Sequence, residues 1–165
     1  MEFSELIEKR RSLRAYDPSV PVTREEIEKI VYAAQQAPSW KNSQTARFYC
    51  LLPGENAVRF RAECLPVRNA AKAEGAALIV ATFVKNVAGF SADGKTADNE
   101  CGNGWGYYDL GLDTLIMGLR DGEKIRKFLS VPETEQVVAV IAVGHGTSQP
   151  TKPPRKNTEE VLKFF

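Results

Sequence analysis

Apolar positions recur along this chain at two spacings. Phe3, Leu6 and Ile7 stand at helical intervals and predict a first short helix. Ile27, Ile30, Val31 and Ala34 predict a second. Its start is marked by Thr23 with Glu26, a capping box, and by Val22 with Ile27, a hydrophobic staple. Pro38 stops it. The run Phe48 to Leu52, closed by Pro53-Gly54, predicts a strand and turn. A helix is expected over Ala57 to Leu65. Asn69 to Ala77 is alanine-rich and helix-like, and leads into Leu78 to Val84. That unbroken, β-branched run predicts a strand buried on both faces, as does Val137 to Val143. Trp105, Tyr108, Leu112, Leu115, Ile116 and Leu119 predict one long helix, apolar around so much of its circumference that it should be buried on more than one side. Glu123 to Leu129 reads as a further short helix.

The polar intervals divide these elements. Asp17-Pro18-Ser19 is a turn signal. Lys85 to Gly104 has no apolar period and predicts a long loop, a length at which loops are often functional. Gly144-His145-Gly146 ends the last strand, and an extended tail follows. The tail closes with Val161-Leu162-Lys163-Phe164-Phe165, an apolar terminus that calls for a partner surface. Helices come first, then strands separated by helices, so the fold class is α+β or layered α/β. No repeat or linker divides residues 1–165, which fit one domain.

Composition narrows the function. Of 165 residues, 22 are Lys or Arg and 21 Asp or Glu, a net charge of +1 that supplies no basic footprint for nucleic acid. No apolar run approaches bilayer length. Three cysteines without CxxC spacing and a single histidine assemble no zinc set, so no metal is expected. Cys50 reads as a small core residue, and a reducing cytoplasm is the expected setting. The acidic, polar start Met1-Glu2-Phe3-Ser4-Glu5 is not expected to act as a signal peptide.

One cluster stands out against that even charge. Arg10-Arg11-Ser12-Leu13-Arg14 sets three guanidiniums and a hydroxyl within five positions. Guanidinium forks match phosphate bidentately, although the same residues also make an ordinary solvated helix end. A second basic group, Lys152, Arg155 and Lys156, lies at the far end of the sequence. Two distant clusters in a nearly neutral chain point to one discrete anionic ligand.

Four segments, in order, resemble the FMN-dependent nitroreductases. They are Arg10-Arg11-Ser12-Leu13-Arg14-Ala15-Tyr16, Ala37-Pro38-Ser39-Trp40-Lys41-Asn42-Ser43-Gln44, Tyr107-Tyr108-Asp109-Leu110-Gly111, and Val143-Gly144 with Pro154-Arg155-Lys156-Asn157-Thr158-Glu159-Glu160-Val161. The resemblance covers nearly the whole chain. It implies a three-layer α/β/α sandwich around a mostly antiparallel sheet, and a domain-swapped homodimer with FMN at the subunit interface. Arg10, Arg11, Ser12 and Arg14 would hold phosphate and ribityl chain, with Arg155 and Lys156 closing on the phosphate. Pro38, Ser39 and Asn42 would come from the other subunit, and the Trp40 ring would narrow the pocket or stack on flavin or substrate. Asn69 and Lys72, three apart on one helical face, would meet the flavin pyrimidine edge, Lys72 tuning its charge, and Gly118 and Leu119 would approach N5. Hydride would pass from NADH or NADPH through flavin N5 to a nitroaromatic, quinone or similar acceptor in a ping-pong cycle.

Some positions depart from that pattern. Trp40 replaces a usually small residue, Thr45-Ala46 replaces a frequent Pro-Trp, and the segment from Met117 to Gly122 is short. A trimmed pocket leaves a second reading, an FMN carrier or sensor without turnover. His145 is read as structural or exposed. Gly102-Asn103-Gly104-Trp105-Gly106 follows no strand and fails the context of a dinucleotide fingerprint.

Overall fold

A computed structural model describes residues 2, 5, 8–109, 116–117, 120–147 and 151. Among these, residues 5, 8 and 9 are helical. The remaining elements are α1 (Arg24–Ala34), a 3-10 turn at Trp40–Asn42, β1 (Ala46–Leu51), α2 (Glu55–Cys64), α3 (Val67–Lys72), β2 (Ala77–Val84), α4 (Gly104–Asp109), β3 (Ile116–Met117), α5 (Gly122–Leu129) and β4 (Glu135–Val143).

The strands form one antiparallel sheet in the order β1-β2-β4-β3. β2 is central, with seven of its eight residues buried, as its unbroken apolar run requires. Its alternate side chains feed two cores. Ala77, Ile79, Ala81 and Phe83 meet Val22 and Ile27 at the start of α1 on one face. Leu78 and Val80 meet Phe60 and Cys64 of α2, Ala73 beyond α3 and Ile125 of α5 on the other. Helices therefore cover both faces, an α+β three-layer arrangement. Local signals explain the helix starts. The Thr23 side chain accepts from Glu26 N while the Glu26 carboxylate accepts from Thr23 N, completing the capping box, a feature worth about 1 kcal/mol. The Asp121 carboxylate caps α5 by accepting from Lys124 N.

Three expectations are corrected. The long helix from Trp105 to Leu119 does not hold: the described helix spans Gly104–Asp109, and Ile116–Met117 is a strand paired with Ile141 and Val140 of β4. Backbone hydrogen bonding to β4 at that sheet edge overrides the helical period. Nor is this helix buried all round, since Tyr107 and Tyr108 are exposed. Cys50 is exposed on β1, an edge strand, and not a core residue. The helix expected from Asn69 ends at Lys72, and Gly75, at φ +78°, turns the chain into β2. The tail from 152 onward lies outside the described residues.

Candidate active site

The basic segment is fastened to the end of β4. Tyr16 bridges Gly146 in antiparallel fashion, Asp17 N donates to His145 O at 2.8 Å, and Thr147 N donates to Ala15 O at 3.1 Å. The Tyr16 ring is buried, and its hydroxyl donates to Leu13 O at 3.0 Å, curling the chain between the arginines and the sheet. Burial raises the Tyr16 pKa, and Arg14 nearby partly opposes the rise. Gly144 and Gly146 make the approach possible. A Cβ at Gly146 would lie 2.7 Å from Leu13, and one at Gly144 only 2.5 Å from the Tyr16 ring.

This clamp displays the cations unequally. Arg11 donates to the carbonyls of Glu8 and Arg10, both at 2.6 Å, so its guanidinium is engaged with the main chain. Arg10 and Arg14 are exposed, Arg14 keeping a longer 3.3 Å bond to Ser12 O. Ser12 is half-buried. Leu13 packs on the same core cluster as Ala70 of α3, the helix that carries Asn69 and Lys72, both half-buried. The structure thus draws the first basic cluster and the Asn69–Lys72 helix onto one side of one core. Gly118, Leu119, Arg155 and Lys156 lie outside the described residues.

Pro38, Ser39, Trp40 and Asn42 lie elsewhere. They precede β1, and Thr45 O accepts from Val84 N at 3.0 Å, at the far end of β2 from Ala77. The basic segment is at the Ala77 end, where Gly75 approaches Tyr16 O and Val143 pairs with Ala77. Eight strand residues separate the two groups by roughly 23 Å.

The turn from Ser39 to Gln44 is unusual. Lys41, Asn42 and Gln44 all hold left-handed φ values, 53°, 54° and 48°, a region that costs non-glycine residues energy. Several contacts hold it. The Trp40 ring stacks on Trp105 at 4.0 Å and 24°. Trp40 Nε1 and Lys41 Nζ donate to Asp98 at 3.1 and 2.7 Å. Trp40 N lies 3.2 Å from both carboxylate oxygens of Asp109. Gln44 N donates to Ser39 Oγ at 3.0 Å. The bonds from Lys41 and Trp40 hold the Asp98 carboxyl below its usual range, whereas burial raises that of Asp109. Beside the turn, an open groove of about 940 Å³ runs between α1 and β1, lined by Ile27, Tyr32, Pro38, Ser39, Thr45 and Asp109 among others. Thr45 Oγ1 is buried there without a hydrogen-bond partner.

The sequence reading missed Asp98, Asp109 and the supporting role of Tyr16. Tyr16 and Asp109 stand inside the family-like segments, so their segments were visible but their contacts were not. Asp98 lies 58 residues from Trp40, and no local pattern marks it. His145 is exposed and 3.6 Å from Glu26.

Comparison with known proteins places this architecture. The curated Bacillus subtilis protein YdgI, which carries an NAD(P)H nitroreductase name, is 45% identical over 47 residues, 28% of this chain and 22% of YdgI. The match therefore spans about a fifth of that relative's length. A solved oxidoreductase containing FMN is 25% identical with a TM-score of 0.70, covering 90% of this chain and 79% of its own. The enone reductase CLA-ER, of a gut-bacterial fatty acid saturation metabolism, superposes with a TM-score of 0.83 at 17% identity over 99% of this chain and 97% of its own. The model of the Nitroreductase family matches residues 7–98, from the basic segment through the turn and β2 to Asp98, and on that match the chain belongs to the nitroreductase family.

Proposed function

We propose that this chain is an FMN-dependent NAD(P)H oxidoreductase that works as a homodimer. One observation carries the reading: the two groups of expected flavin contacts stand at opposite ends of β2 within a protomer. A second copy, related by a two-fold axis, could bring the turn of one protomer to the basic segment of the other. The relatives support the cofactor, since one similar structure contains FMN and YdgI carries an NAD(P)H nitroreductase name.

The residues present fit FMN. Arg10 and Arg14 offer solvent-facing donors to a phosphate, on a backbone fixed by the Tyr16 clamp. Asn69 supplies a donor and an acceptor suited to the pyrimidine edge, and Lys72, one turn along α3, supplies a cation. Bound FMN would supply the hydride chemistry, taking electrons from NADH or NADPH and passing them to a nitroaromatic, quinone or similar acceptor. The chain's own work is binding and tuning. Arg10 and Arg14 hold the phosphate, Asn69 fixes the ring's orientation, and Lys72 favours the ring's reduced charge state. Pro38, Ser39 and Asn42 of the second protomer close the site.

The test is complementation. Arg14→Ala and Asn42→Ala, each alone, should weaken FMN enough that the purified protein carries little of it. Co-expressed, they should regain about a quarter of the sites, because half the dimers are mixed and each carries one intact site. No regain would place both groups in sites built within one protomer and overturn the shared-site reading. NADH or NADPH added to the yellow protein should bleach it within seconds. A protein that stays yellow is a carrier.

A further inference from the structure

We infer that Asp109 and Asp98 are positioning residues: together they hold the Ser39–Gln44 turn in its left-handed form and so set where Pro38 and Ser39 stand on the groove. The inference rests on the proposed FMN site only for the consequence on binding, and its structural half stands by itself.

Three left-handed non-glycine residues within four positions, 41, 42 and 44, do not persist on local preference. The turn's own bonds are few: Asn42 N to Ser39 O, Ser43 N to Trp40 O, Gln44 N to Ser39 Oγ, and Gln44 Nε2 to Asn42 Oδ1. Arg47 of β1 adds one bond, to Gln44 O, and the other restraints come from one distant stretch, residues 98–109. Asp109 takes the Trp40 amide from α4, and Asp98 takes both the indole N–H and the Lys41 ammonium. Trp105, between them in sequence, stacks on the Trp40 ring.

The two carboxylates act on different parts. Asp109 grips the main chain next to Ser39 and itself lines the groove with Pro38 and Ser39. Asp98 grips only side chains, those of Trp40 and Lys41. Without Asp109, a half-buried main-chain donor loses its acceptor just where the strained φ values begin. Releasing it lets the turn relax, and Ser39, which also accepts from Gln44 N, moves with it. The approach of the loop is arranged for this: a Cβ on Gly89 would strike the Trp105 ring, and one on Gly106 would strike Phe83, so both positions need glycine for Trp105 and Asp109 to arrive.

The experiment uses the full chain with Asp109→Ala, Asp109→Asn and Asp98→Ala. Near-UV circular dichroism reads the Trp40–Trp105 stack, and FMN titration reads the site. Asp109→Ala should lose most of the stacked-indole signal and weaken FMN binding by about tenfold. Asp109→Asn, whose amide oxygen still accepts from Trp40 N, should restore both. Asp98→Ala, at a surface position, should weaken the stack with a smaller effect on FMN. An Asp109→Ala protein with the wild-type indole signal overturns the inference, as does Asp109→Asn behaving like Asp109→Ala. If Asp109→Ala does not fold, Asp98→Ala decides: an unchanged indole signal overturns. Wild-type protein that takes up no FMN defeats the proposed function instead, and the indole signals of the variants still support or overturn the holding of the turn.

Discussion

The two ends of β2 are held by different physics. At the Ala77 end, the basic segment is sewn to β4 by main-chain bonds, a buried tyrosine and two close glycine approaches. These are neutral contacts, insensitive to salt. At the Val84 end, the Ser39–Gln44 turn is held by carboxylates and a stacked pair of indoles, against strained dihedral angles. One end presents charges on a neutral mount. The other presents small side chains on a charged mount. A binding surface needs a fixed backbone, and what fixes it can be of opposite character to what it displays.

The sharpest way to break this contrast is Tyr16→Ala. It removes a buried ring and the hydroxyl bond to Leu13 O, and should cost about 3–5 kcal/mol in denaturant unfolding, as other buried aromatic truncations do. The loss should be the same at low and high salt. Gly144→Val comes next. Its Cβ would meet the Tyr16 ring, and the strain should cost about 1–3 kcal/mol, again read by denaturant midpoint. Trp40→Ala should cost less, about 1–2 kcal/mol, of which stacking supplies about 0.5–1.5. Arg14→Ala should leave stability within about 0.5 kcal/mol yet weaken FMN in titration, separating display from mount.

pH sharpens the same comparison by direction. Hydrogen bonds hold Asp98 below its usual range, so its contribution is present above the ordinary carboxylate value and is lost as pH falls through the depressed one, below about pH 4. Burial holds Asp109 above its usual range, so its protonation in acid partly offsets that loss. Burial also raises Tyr16, whose contribution is intact below about pH 10 and is lost as pH rises through the raised value. The indole signal should therefore fail first in acid, and the clamp in alkali. Circular dichroism of the indoles and the tyrosine absorbance difference, followed across pH, check the order.

How much of this was legible depended on distance along the chain. Thr23 and Glu26, three residues apart, form the expected capping box, and within the expected turn Ser19 N donates to the Asp17 carboxylate two residues back. β2 was legible because Leu78 to Val84 is apolar at every position but Thr82. The candidate-site segments 10–16 and 37–44 were legible only as a family resemblance, and the family model spans both. Their mounting was not: Tyr16 meets Gly146, and Trp40 meets Asp109, 69 residues on. Ile116–Met117 went wrong for the same reason, since its partner strand begins near residue 135. Cys50 failed differently. Its side chain lines the open groove beside β1, whereas Leu51 on the same strand is buried, and only the packing of each face tells the two apart.

The bridge between Tyr16 and Gly146 also bears on the order of folding. It closes a loop of 130 residues, a closure whose chain entropy amounts to roughly 4 kcal/mol. Contacts of that span form only after nearer ones have shortened the path. The β2–β4 pairing must exist before residue 146 has a fixed place beside residue 16. The basic segment is therefore expected to acquire its shape late, once the sheet is assembled, and should be the last part of the molecule to become ordered during refolding.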